Sequence, residues 1–152
     1  MIQASLSILI KDWKILLWEK KTGFAKGVLN WVWGKQEQGE TMEECMIREA
    51  REEIGIEVSN PEKVAVLHFY FTKKPEYNIE VHVFLTPDYT WNINESKEIK
   101  PFWFDLNKIP YDKMWKDDII WLPRILAWEK DIEYDIWFDD ELGDIEKYEV
   151  IK

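Results

Sequence analysis

The sequence predicts an α/β architecture, a mixed β-sheet sandwiched between helices (α/β/α), on three observations. Runs of β-branched and aromatic residues recur in pairs along the chain. One capped amphipathic segment separates the first pair from the second, and a further helical segment lies before the closing strands. A sheet with helices on its faces buries all of these apolar sides most economically.

The elements follow in order. Residues 5–10 and 14–18 read as strands joined at Lys11, Asp12 and Trp13, a hairpin. Residues 20–27 form a basic, glycine-containing loop, and residues 37–40 a polar one with Gly39. Thr41 is a good N-cap, Glu44 three residues on completes a capping box, and Gly55 is a C-terminal stop. The helix is therefore expected over 42–54, with Met42, Cys45, Met46 and Ala50 as its apolar stripe. Residues 64–72 and 78–85 form a second hairpin across Lys73, Lys74, Pro75 and Glu76. Residues 102–105 give a short strand, and 121–130 a second helix with Pro123 in its first turn. Residues 134–138 and 147–151 are closing strands.

Composition bounds the function. The chain has 152 residues, enough for one domain (1–152) with a real core. A formal charge of −10 argues against a nucleic-acid polymer, which needs a basic stripe, and against an anionic membrane surface. A free nucleotide remains compatible, because a bound cation and a few lysines invert the local field. The single cysteine, Cys45, excludes an intrachain disulfide and fits a reducing, cytoplasmic setting; its place in the helix stripe makes it core rather than nucleophile. The first ten residues have no basic n-region and read as strand rather than signal peptide, and no stretch is long enough to span a bilayer. His68 and His82 lie in strand runs without ligand spacing and are expected to be structural or outward-facing, not a zinc site.

The acidic helix carries the first chemical signal. Glu49, Glu52 and Glu53 fall at i, i+3 and i+4, one face of a helix. Like charges so placed repel. A Glu-rich helix is most often a solvated face, but such a ridge also suits a hard divalent cation, which takes a few carboxylates together with substrate phosphates.

The residues around the ridge decide between these readings. Gly34, Glu40, Arg48, Glu49, Glu52, Glu53, Gly55 and Ile56 match, position by position, the box that defines the Nudix hydrolases, with Ala50 in an aliphatic slot. The segment is identified as a Nudix motif: a loop that brings backbone to phosphates, then a helix that carries ligands. The resemblance implies Glu49, Glu52 and Glu53 as the metal set, with the Gly34 carbonyl as an added ligand. It implies that Arg48 is no ligand but pairs with carboxylates, Glu40 first, so that Glu40 and Arg48 are structural.

Nearly the whole chain also resembles one Nudix group, the MutT-type oxidised purine nucleoside triphosphatases. The stretch Glu19 to Phe24 resembles that group's basic loop, and Phe69-Tyr70-Phe71, Val81-His82-Val83-Phe84 and Lys100-Pro101-Phe102-Trp103-Phe104 resemble its strands. The string Met114-Trp115-Lys116-Asp117-Asp118, followed by Trp121-Leu122-Pro123, is specific to the group. A purine needs a flat apolar slot and polar groups on its edge. Adjacent Asp117 and Asp118 repel, so a partly buried pair tends to hold one proton and to offer both a donor and an acceptor. By resemblance these two aspartates and Asn30 read the base and Trp115 stacks on it. Phe69 and Phe71 line the slot, with Trp121 nearby; ordinary core packing is the competing assignment for each aromatic. Lys20 is placed near the triphosphate, Ser5 matches a nucleotide-contacting threonine, and Glu98 matches a further carboxylate at the metal site.

The implied activity is Mg²⁺-dependent pyrophosphohydrolysis, with Mn²⁺ able to substitute. Attack at the β-phosphorus of 8-oxo-dGTP or 2-hydroxy-dATP would give a nucleoside monophosphate and pyrophosphate, sanitising the nucleotide pool and so serving DNA repair. Mg²⁺ offsets phosphate charge and lowers the pKa of bound water, and a carboxylate accepts its proton. Glu53 is the first candidate for base or metal-bridging residue, with Glu52 and Glu98 as competitors. The expected partner is a small nucleotide, and the expected state a monomer. Two other readings stand beside this one: a Nudix hydrolase of a dinucleoside polyphosphate or nucleotide sugar, and a non-catalytic nucleotide-binding sensor. Trp33 and Trp31 depart from the pattern, standing where the group carries glycine; tryptophan tolerates neither close backbone approach nor positive φ cheaply, which bears on base preference.

Overall fold

A computed structural model of the chain describes residues 1–21, 25–86, 88–90, 99–139 and 143–152. Strands β1 (Ile2–Lys11) and β2 (Lys14–Lys20) open the fold, followed by two short strands, β3 (Leu29–Asn30) and β4 (Val32–Lys35), and helix α1 (Met42–Ile54). Then come β5 (Val58–Ser59), β6 (Glu62–Phe71), β7 (Ile79–Thr86), β8 (Asp88–Tyr89) and β9 (Ile99–Asp105). Helix α2 (Asp118–Leu126), β10 (Ile132–Phe138) and β11 (Ile145–Val150) complete it.

The sheet is mixed. Its order runs β11, β10, β6, β7, β1, with β1–β7 and β6–β10 parallel and the other pairs antiparallel. Strand β1 then divides: Ala4 to Ser7 pair with β4, while Ile10 and Lys11 continue into β2, which carries β3 and β9. Strands β5 and β8 form a separate ribbon.

Alternation along β1 explains why both faces are covered. Ala4, Leu6 and Ile8 point into a core shared with Trp121, Leu122 and Ile125 of α2. Leu9 points the other way, into a core with Met46, Ala50 and Ile54 of α1. Ser5 and Ser7, on the α1 face, are small enough for the helix to approach; the Ser5 hydroxyl lies 3.5 Å from Cys45 Sγ. Helix α1 carries the expected capping box, with Glu44 N–H donating to Thr41 Oγ1 at 3.1 Å and Thr41 N–H to Glu44 Oε1 at 2.9 Å. Gly55 takes φ 73°, the left-handed cap glycine adopts without strain.

Two expectations about elements need correcting. The second helix spans 118–126 rather than 121–130, so Pro123 sits in its second turn, not its first. It begins where Asp118 N–H bonds the Trp115 carbonyl, and it ends because Trp128 turns to φ 64°. The short strands β3 and β4 were not anticipated, since two to four residues cannot display a period; only pairing with β1 and β2 makes them strands.

Candidate functional site

Helix α1 and strand β4 build the acidic part of the site. Gly34 lies over α1, and a Cβ there would fall 2.0 Å from Glu49 Cδ, so only glycine lets the strand and this carboxylate coexist. Arg48 gathers the surrounding charges. Its guanidinium donates to Glu40 at 2.7 and 3.0 Å, to Glu49 Oε1 at 2.8 Å, to Glu52 Oε2 at 3.2 Å and to the Lys35 carbonyl at 3.0 Å. Glu40 also accepts from the Glu37 amide at 2.8 Å. The Arg48 hydrogen bonds hold the Glu40 carboxyl down to about 2, while the same contacts raise the already high pKa of Arg48. Repulsion along the ridge is thus partly balanced from within the helix, by a residue that also ties the loop to it.

Glu53 differs from its neighbours. Burial, the charge of Glu49 and, more weakly, that of Glu52 push its carboxyl up to about 8, against a lowering pull from the Trp33 backbone amide. Its Oε2 is buried without a partner among the described residues. Among the described residues, no three His, Cys, Asp or Glu side chains converge as they stand to hold a metal. The orphaned Glu53 oxygen and the Gly34 cradle nonetheless fit a cation, because a buried carboxylate oxygen without a donor is costly unless something positive meets it. Glu98 lies outside the described residues.

The second part is a cavity of about 250 Å³ on the α2 face. Its floor comes from four neighbouring strands, with Leu6, Val81, Phe69, Phe71 and Phe138 all on the inward phase of their alternation. Phe71 stacks on Phe138 at 5.2 Å between ring centroids, and Phe69 meets it edge-on at 5.3 Å. Asn30 of β3, Trp33 of β4 and Trp31 between them close one part, and Trp115, Asp117 and Asp118 another. Gly143, at φ 83°, backs Trp115: a Cβ there would come within 3.0 Å of its ring. Lys116 pairs with Asp144 beside it.

The two aspartates of this cavity are tied by indoles. Trp121 Nε1 donates to Asp117 Oδ2 at 2.8 Å, and Trp31 Nε1 to Asp118 Oδ1 at 3.0 Å. Asp118 Oδ2 is buried without a partner among the described residues. Burial raises both carboxyl pKa values well above the usual range, and the charge of Asp117 raises Asp118 further.

The tertiary structure therefore brings Asn30, Phe69, Phe71, Trp115, Asp117 and Asp118 together around one cavity. It does not bring Trp121 or Ser5 there. Trp121 is fully buried behind Asp117, and Ser5 is fully buried on the opposite, α1 face of the sheet. Lys20 ends β2, paired with Ile99, and does not line the cavity. Trp33 and Trp31, expected to bear on base preference as replacements of glycine, line it with their side chains. Trp33 is an ordinary extended residue of β4, without positive φ, so its bulk enters the cavity at no backbone cost. The signal was available in the alternation Val32, Trp33, Gly34, but not which sheet face it addressed. His68 and His82 also gain partners invisible in sequence spacing: Glu80 and Asp135 at 2.7 and 2.9 Å for His68, Glu80 and Gln3 at 3.1 Å for His82.

Comparison with known proteins adds to this geometry. The family model for the NUDIX domain matches residues 1–125. A protein of Danio rerio named oxidized purine nucleoside triphosphate hydrolase is 35% identical over 148 residues, 93% of this chain and 94% of its own length. A Mus musculus protein of the same name is 36% identical over 126 residues, covering 83% and 80%. The crystal structure of the mutator MutT protein of Bacillus halodurans superposes with a TM-score of 0.88, spanning 99% of this chain and 98% of that one at 20% identity, a likeness of fold.

Proposed function

The chain belongs to the Nudix family of hydrolases, and from that premise we propose that it hydrolyses oxidised purine nucleoside triphosphates, 8-oxo-dGTP or 2-hydroxy-dATP, to the monophosphate and pyrophosphate. The observation that carries the reading is the juxtaposition at β4. The Trp33 ring lines an apolar cavity whose polar groups are Asn30, Asp117 and Asp118, and the next residue, Gly34, lies against the carboxylates of α1. Trp33 and Gly34 address opposite faces of the sheet, so in this reading the base sits on the α2 side and its phosphates pass β4 to reach the carboxylates of α1.

The remaining assignments follow. Phe69, Phe71 and Trp115 offer aromatic surface to the base. Asp117 and Asp118, sharing a proton, meet a lactam-type edge that carries adjacent donor and acceptor. Gly34, Glu49, Glu52 and Glu53 are the residues that would hold Mg²⁺ or Mn²⁺, with Glu98 as a further ligand. When bound, such an ion neutralises phosphate charge and acidifies a water. Glu53 takes the proton of the attacking water, Glu52 and Glu98 being the alternatives, while Arg48 and Glu40 keep loop and helix in register. The whole chain, 1–152, acts as one monomeric domain in the cytoplasm, cleansing the nucleotide pool that feeds DNA synthesis.

The support for this reading is the activity for which the relatives are named, the cavity's chemistry and the orphaned Glu53 oxygen. A substrate panel with Mg²⁺ tests it. Oxidised purine triphosphates should be cleaved in preference to normal ones, releasing pyrophosphate rather than orthophosphate, and E53Q should lower turnover by about a hundredfold or more. Equal turnover of every base, or cleavage confined to dinucleoside polyphosphates or nucleotide sugars, overturns the substrate assignment. E53Q turnover near that of wild type overturns the role of Glu53.

A further inference from the structure

Trp31 stands at an unusual junction. It is 2% exposed, yet its ring borders the cavity. Its indole N–H donates to Asp118 Oδ1 at 3.0 Å, and its backbone N–H donates to Asn30 Oδ1 at 2.8 Å. It is itself held in place: Trp18 Nε1 donates to its carbonyl at 2.7 Å, and its ring packs on Trp121 at 5.9 Å between centroids. Two N–H groups of one residue therefore reach two of the cavity's polar side chains.

Each bond removes a choice. A carboxyl group alone rotates about its last torsion and exchanges its oxygens, and an amide can present either its carbonyl or its NH₂. With Asp118 Oδ1 accepting from the indole, Oδ2 is the oxygen left to a ligand, and it is buried with no partner among the described residues. With Asn30 Oδ1 accepting from the backbone, its NH₂ is what the side chain can offer. Resting on the purine reading above, we propose that Trp31 is a positioning residue for the base: it fixes Asp118 and Asn30 so that one carboxyl oxygen and one amide NH₂, each in a single orientation, meet the base edge. The ligand this arrangement fits carries an acceptor opposite the Asn30 amide and a hydrogen-bonding heteroatom opposite Asp118 Oδ2. A purine lacking either leaves a buried polar group unpaired, a loss large enough to discriminate between bases.

The test compares wild type, W31F, D118A and the double variant W31F/D118A. Phenylalanine keeps an aromatic ring and the backbone N–H and removes the indole donor together with part of the buried ring volume, which the double variant and the indole signal separate from the lost hydrogen bond. The readouts are kcat/KM for 8-oxo-dGTP against dGTP, and the Trp31 indole signal in nitrogen–proton correlation spectra of the ligand-free protein. Discrimination should fall about tenfold in W31F, the order expected for losing one buried hydrogen bond. It should fall no further when W31F is added to D118A, since the group Trp31 positions is then gone. The Trp31 indole signal should move upfield in D118A. Additive losses in the double variant, or discrimination intact in W31F, overturn the inference. A wild-type enzyme that discriminates neither 8-oxo-dGTP from dGTP nor 2-hydroxy-dATP from dATP overturns the purine reading itself, and this inference with it. An unmoved indole signal in D118A removes the hydrogen bond on which the positioning rests.

Discussion

Glu49 occupies the space that a Cβ on Gly34 would need: the ideal position lies 2.0 Å from Glu49 Cδ and 2.2 Å from its Oε1. To make room the carboxylate has to leave its place, where its Oε1 accepts from Arg48 at 2.8 Å. G34A should therefore fold, at a cost of about 1 kcal/mol or less, because the obstructing atoms are the end of a flexible side chain. It should lose activity by about a hundredfold, because Glu49 is displaced from its place beside β4. Thermal unfolding and kcat/KM measured on the same sample check both halves.

Arg48 faces Glu37, Glu40, Glu49 and Glu52 within 3.4 Å and is largely covered. R48A should lower stability by about 3 kcal/mol, since several charge-assisted bonds go and like charges are left facing each other. R48K, a point charge in place of a fork, should recover only part of it. The pH dependence carries a sign. Glu40 is held down to about 2 in the folded state, so its contribution is present above the unfolded carboxylate range and is lost as pH falls through it toward about 2. Acid unfolding of wild type should thus steepen between roughly pH 4.5 and 2, and R48A should lack that component.

Asp118 carries the opposite sign. Its folded-state pKa lies above the unfolded value, so the native protein holds more protons and wild-type stability falls as pH climbs from about 4 through the raised value. D118N keeps an oxygen to accept from Trp31 and removes the ionisation. Its stability relative to wild type should rise across that window by on the order of 1–3 kcal/mol. Denaturant midpoints at pH 4, 6 and 8 check it; an equal difference at all three removes the argument. The same variant should change the preference between oxidised and normal purines.

Trp121 separates packing from recognition. It is fully buried and holds Asp117 Oδ2 at 2.8 Å without lining the cavity. W121F should destabilise the fold by about 1–3 kcal/mol, because a buried carboxyl loses its donor. Saturating ligand should recover part of that stability through binding to the native state. A variant that binds base normally and unfolds at the wild-type midpoint would falsify the indole brace.

Local chemistry made helix α1 legible in sequence: Thr41, Glu44 and Gly55 act within one or two turns, so their positions alone fix its ends. The long strands and the acidic box were legible for the same reason, since period and spacing are properties of neighbours in the chain. The cavity was different. Phe69 and Phe138 are far apart in sequence and meet only because β6 and β10 pair in parallel, and Trp33 faces the cavity only because β4 joins β1 in one register. Trp121 behind Asp117 and Ser5 on the opposite face obey the same logic: motif membership identified the residues, but which side of the sheet each one faces was decided by long-range pairing. A strand's two faces are chemically distinct only once neighbouring strands and helices have declared which is inside.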